Sequence, residues 1–220
     1  MVFVLASFWL LIKLCNTADV SFENCVGATG DPEACRVSQR VFQLVKELGL
    51  VECVERRKVK KCFAACLDRC GGGEECVDLC IGALDVAVGL AVARGLAEGA
   101  KMFALFGVSP VEAAAAAFAE MLQKAERTKC PERADAARIL NIVAVELRNL
   151  LGAQDLLLLL APAVAVAHSC VGDEAFDVLD AIMSAVGEET AARIAAALEE
   201  GVVAVGNVVV KVPPVKANAV

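Results

Sequence analysis

With 220 residues, 58% of them hydrophobic and only 5% aromatic, the chain can bury a sizeable core of Ala, Val and Leu, which excludes a disordered protein. A net charge of −7 with few stacking side chains excludes a nucleic-acid binder, whose phosphate-facing surface must be basic.

The elements read in chain order begin with a leader. Val2 to Ile12 form an apolar stretch of eleven residues, and small or polar residues follow at Cys15, Asn16, Thr17 and Ala18. The stretch is shorter than the ~20 residues of a membrane span, so it predicts a signal peptide over residues 1–18, cleaved between Leu14 and Asp19. An uncleaved anchor is the alternative. Lys13 argues against a lipoprotein site at Cys15.

Of eleven cysteines, Cys15 lies in this leader. The others are Cys25, Cys35, Cys53, Cys62, Cys66, Cys70, Cys76, Cys80, Cys130 and Cys170. An even set behind an export signal predicts a disulfide framework without a free thiol, in a secreted, extracellular protein. Zinc would want tighter pairs and nearer histidines than the lone His168 offers, so neither metal nor cofactor is expected.

Eight of these cysteines fall between residues 25 and 80, and that shift sets the organisation. Residues 19–80 read as a cysteine-rich helical module, residues 81–206 as an apolar helical bundle, and residues 207–220 as a tail. The fold class is all-α: disulfide-stapled helical hairpins packed on an Ala/Val/Leu-rich bundle, with about seven or eight helices.

Asp31-Pro32-Glu33 offers a cap, a proline for the first helical position and an acid near the positive end of the helix dipole. Val41, Phe42, Val45 and Leu48 continue the helix as an apolar stripe that stops at Gly49. A second helix is expected from Val51 to Cys70, broken by Gly71-Gly72-Gly73, and a third from Glu74 past Cys80 towards Phe106. The cluster Arg56, Arg57, Lys58, Lys60 and Lys61 reads as a solvated face of the second helix, with a contact for an acidic partner as the alternative.

Cys62, Cys66 and Cys70 share one helical face, as do Cys76 and Cys80. Folding at residues 71–74 brings Cys70 opposite Cys76 and Cys66 opposite Cys80, and leaves Cys62 outside the hairpin. Folding at Gly49-Leu50 places Cys35 near Cys62. Paired C-x3-C segments on two antiparallel helices resemble the α-hairpinins, over the stretch Cys62 to Cys80. That resemblance implies Cys62–Cys80 with Cys66–Cys76; Cys70 departs from the family pattern, and no function is carried across.

Ser109-Pro110-Val111-Glu112 has the form of a capping box with proline first, opening a helix to Glu126. Pro131 opens another to Leu151, and a third spans Gln154 to Ser169 with a kink at Pro162. The short link at Gly152 makes these two antiparallel neighbours, which predicts a Cys130–Cys170 bridge. Their unequal lengths, ~32 Å against ~24 Å, oppose it unless some residues unwind. Helices over 174–186 and 188–200 follow, and Val208–Val220 is a tail or one short strand.

Catalysis finds little support. No Gly-X-Ser-X-Gly turn accompanies His168, no C-x2-C motif offers thiol exchange, and the glycine run lacks the Gly-Lys-Ser/Thr of a phosphate cradle. No catalytic residue is expected. Ile81–Ala93 carries one charge, Asp85, and Leu156–Ala167 carries none; each run is too short to cross a bilayer. Gly95 and Gly99 have the small-xxx-small spacing of closely packed helices. Two buried central helices are one reading, and a helical shell round a lipid-like ligand is the other. The expected function is a secreted, non-enzymatic, lipid-binding protein that carries a small apolar ligand. A structural or protein-interacting extracellular component is the alternative, and a membrane-active polypeptide the third.

Overall fold

A computed structural model describes residues 26, 30–130, 132–151, 154–172, 175, 179, 183 and 186–214. The expected signal peptide, Cys25 and most of the helix expected over 174–186 lie outside the described residues. The rest is a helical bundle stapled by disulfides, with eight α-helices and one β-hairpin among the described residues.

Helix α1 spans Pro32–Glu47. Asp31 caps it, its Oδ1 accepting from the Glu33 and Ala34 N–H groups at 2.9 and 3.0 Å. Its buried stripe, Val41, Leu44 and Val45, joins the core of the cysteine-rich module. Gly49, at φ 54°, turns the chain into α2, Leu50–Glu55.

The single helix expected over 51–70 is two. Arg57 sits at φ 55° in a turn between α2 and α3, Val59–Cys70. The reason is Cys53–Cys62, whose Cα atoms are 6.0 Å apart. Nine residues of straight helix would hold them ~13 Å apart, beyond the ~7 Å that a disulfide spans. The basic cluster therefore lies fully exposed on a turn and the start of α3, and not along one face of a long helix.

Gly71 ends α3 and Gly73 precedes α4, Glu74–Ala104, both with positive φ. Across this turn run Cys70–Cys76 and Cys66–Cys80, Cα atoms 5.7 and 5.8 Å apart. The α-hairpinin pairing, Cys62–Cys80 with Cys66–Cys76, is not adopted, and Cys62 is not bonded to Cys35. The second bend, at Arg57, delivers Cys62 to Cys53 instead. Cys62 takes no part in the hairpin's own bridges, as expected, and is fully buried against its partner outside it; Cys35 is also disulfide-bonded.

Helix α4 is the axis of the molecule. Its first half closes the module core with Cys80, Ala83, Val86 and Ala87, and its second half gives Ala93, Ala97 and Ala100 to the bundle core. Gly89 lets α4 and α6 approach closely: an added Cβ there would lie 2.5 Å from Ile142 Cγ2 on α6. Gly95 and Gly99 have open space around the same position, so they do not make the close helix contact that their spacing suggested. By length and composition both α4 and the stretch 154–171 could cross a bilayer, longer than the uncharged runs within them. However, 50% and 72% of their most apolar windows are buried inside the fold.

Helix α5, Pro110–Glu126, and α6, Glu132–Leu151, follow. Residues Gln154–Leu159 then form a 3-10 turn that passes into α7, Leu160–Val171. Pro162 lies in the first turn of α7, where its missing N–H is harmless and its ring is kept clear of an α-helical carbonyl four residues earlier. The tighter winding also corrects the length mismatch. Six 3-10 residues at ~2.0 Å and twelve α residues at ~1.5 Å reach ~30 Å, matching the ~30 Å of α6. Cys130–Cys170 then closes the hairpin with Cα atoms 5.6 Å apart. Every residue from Leu156 to His168 is buried, which makes this the central element of the bundle.

Helix α8, Glu188–Glu200, leads into β1, Val202–Val205, and β2, Val208–Lys211, paired antiparallel. The expected boundary at residue 207 falls inside this hairpin, and Val203, Val205, Val210 and Val212 are core residues. Branched valines on alternate positions favour strand, and the bundle surface covers one face. The turn is pinned from afar: Asn207 donates its backbone N–H and its Nδ2 to Glu112 Oε1 at 2.9 and 2.8 Å. Ser109 still accepts from the Glu112 N–H at 3.5 Å, but the Glu112 carboxylate serves the hairpin.

Candidate functional site

Two places combine unusual chemistry with a defined geometry. One is a partly buried ion cluster between α4 and α6. Asp85, the single charge in its apolar run, meets Arg138 on α6, with Oδ2 to Nε at 3.3 Å, while Asp135 pairs with the Arg138 Nη2. The guanidinium is almost wholly buried. Burial pushes the Asp85 carboxyl up to about 6; Arg138 pulls it down less strongly, and Asp135 adds to the rise. An apolar helix that buries a carboxylate needs a partner, which is the only hint of this pair in the sequence.

The consequence is a pH dependence of stability. A carboxyl whose folded value lies above its unfolded value contributes fully at low pH and loses that contribution as pH rises through the folded value. Between pH 4 and pH 7 the protein is expected to lose about 2 kcal/mol through this group, because each tenfold change in proton affinity on folding is worth ~1.36 kcal/mol. Asp85→Asn should remove that slope. Urea titrations of both proteins across this range measure it, and parallel curves would mean that the group titrates normally.

The second place is a cleft of about 290 Å³ between the end of α5 and the start of α6. Met121, Lys124 and Ala125 line one wall, Ala136, Ile139 and Leu140 the other, and Thr128 closes the end. Each wall uses positions i, i+3 and i+4 of its helix, so the two ridges stand apart as parallel rows. The Thr128 hydroxyl donates to Ala125 O at 2.7 Å, which leaves that end of the cleft with little polar character. Arg133 holds the connecting loop: its Nε and Nη2 donate to Thr128 O at 3.0 and 2.7 Å, and its Nη1 to Ser169 Oγ at 3.1 Å. The Cys130–Cys170 bridge fixes the same loop. Lys124 stands exposed at the rim, 2.7 Å from Glu120. That bond holds the Glu120 carboxyl below its ordinary range.

The cleft is thus an apolar slot with one cation at its mouth, near the low end of the ~300–1,000 Å³ usual for small-molecule sites. The sequence singled out none of its residues, because two helical stripes read equally well as core. The sequence-based candidates are disulfides: eight pair with one another as described, Cys35 is bonded, and none touches the cleft except Cys130–Cys170 through its loop. His168 is buried in the last turn of α7. No group of three His, Cys, Asp or Glu side chains that could hold a metal occurs among the described residues. No protein-family model, curated protein or solved structure matches this chain, so its functional reading rests on its own geometry.

Proposed function

We propose that the chain is an exported, non-enzymatic helical protein that binds a small apolar ligand with an anionic end, seated in the α5–α6 cleft. The observation that carries this reading is the slot itself: carbon walls, a disulfide-anchored loop closing one end and a single cation at the mouth. An acyl chain or small ring would lie between the two ridges, shielding apolar surface from water. Its carboxylate would meet Lys124, in competition with Glu120. The disulfide set fits an oxidising compartment, in keeping with the expected leader.

Titration calorimetry with decanoate and decanol tests the reading. Both should bind, decanoate several-fold more tightly, with that preference lost in Lys124→Ala. Ala136→Phe fills the slot from a half-buried position and should weaken both at least tenfold while leaving the melting temperature unchanged. Absence of binding at millimolar concentration, or binding that Ala136→Phe leaves intact, would remove the cleft as the site.

A further inference from the structure

Beyond the cleft, the join between α4 and α5 is a second unusual surface. Residues 101–109 are exposed without interruption. Met102, Phe103, Leu105, Phe106 and Val108 each leave 42–80% of their surface in water. Helix α4 makes its last core contact at Ala100 and then continues for four residues, ~6 Å, before Leu105–Gly107 turn the chain back. Gly107, at φ 79°, permits that turn. The result is a convex apolar tip at the end of the longest helix. Single exposed apolar residues are ordinary, but five in seven positions on one protrusion mark an interaction surface.

We propose that this tip inserts into the surface of a lipid bilayer. Two observations select that occupant. Helix α4 runs on for ~6 Å past its last core residue, comparable with the ~5–10 Å to which interfacial segments sink beneath lipid headgroups. No carboxylate occurs between Glu98 and Glu112, and the one charge there is the cation Lys101, in a chain whose net charge is −7. Lys101 can lay its stem along the apolar surface and keep its ammonium among the headgroups. With large side chains of ~200 Å² each, the exposed apolar area of the tip is roughly 600 Å². A stable dimer takes ~800 Å² from each partner, a little over half of it apolar, so area does not separate the two occupants and the experiment below does.

The chain has a single tryptophan, Trp9, in the apolar leader. Phe106→Trp in a Trp9→Phe background therefore places the one indole on the tip. Phosphatidylcholine vesicles should shift its emission to the blue, and lipids brominated along the acyl chain should quench it. Both effects should persist in high salt, because the attraction is apolar. Phe103→Ser with Phe106→Ser in the natural background should reduce co-sedimentation with the same vesicles at least tenfold. Those side chains are solvent-exposed, so thermal unfolding should be unchanged. An emission unaltered by vesicles overturns the proposal. So does a blue shift that grows with protein concentration in the absence of lipid, which would give the tip to a second copy. An indole shielded in dilute, lipid-free protein until residues 1–18 are removed would give it to the leader, and also overturns the proposal.

Discussion

Replacing Phe118 with Ala should lower the unfolding free energy by about 3–5 kcal/mol, the range for deleting a fully buried aromatic ring. Phe118 is completely inaccessible in the middle of α5 and is the bulkiest of the fully buried side chains. Its surroundings set the size of the effect. The bundle core mixes leucines, Leu122, Leu140 and Leu156 among them, with many alanines such as Ala114, Ala115, Ala137 and Ala144. Alanines have no rotamers with which to reach into a vacated space, so the cavity closes only as far as the leucines can move. Phe118→Leu should cost much less, because it keeps most of the volume. Urea titrations at pH 6 measure both. A loss below about 1.5 kcal/mol for Phe118→Ala, with an unchanged denaturant slope, would show that α5 closes onto α6 and α7 instead.

Removing the Cys130–Cys170 bridge should be the most damaging deletion among the four disulfides of the described residues. It joins residues 40 apart, against 14 for Cys66–Cys80, 9 for Cys53–Cys62 and 6 for Cys70–Cys76. In the chain-entropy picture such a loop contributes about 4 kcal/mol, and the shortest about 2 kcal/mol. Cys130→Ser with Cys170→Ser should therefore lower stability by up to about 4 kcal/mol, and Cys70→Ser with Cys76→Ser by roughly half of that. The first double variant should also loosen the loop that Arg133 holds, and with it the end of the ligand cleft. Hydrogen exchange over residues 127–133 reads that loosening separately from global stability. Equal losses from both double variants would show that native packing, and not loop length, sets the contribution of each bridge.

What the residues determined without help is local. Asp31 and Ser109 each cap a helix whose proline stands within one turn of the cap, and three glycines at 71–73 leave the chain no helical way forward. The rungs Cys66–Cys80 and Cys70–Cys76 follow from that turn, since helical period and a known reversal point are enough to place cysteines face to face. Cys130–Cys170 was legible for the same reason, from an antiparallel pair with a short link. The tertiary structure decided everything that required knowing which faces meet. Folding at Gly49 offered Cys35 as the neighbour of Cys62, and the left-handed bend at Arg57 brought Cys53 to it instead. Gly89 became a point of close helix approach, while Gly95 and Gly99 stayed open, because the position of α6 relative to α4 is set by the whole core. Glu112 matched a local capping pattern equally well, yet its carboxylate is held by Asn207, 95 residues away. The same holds for the cleft and the tip. An apolar stripe on α5 and an apolar run at 102–108 look alike in sequence; packing left a slot beside the first and nothing over the second, because hydrophobicity states what prefers burial and only the assembled fold determines what is buried.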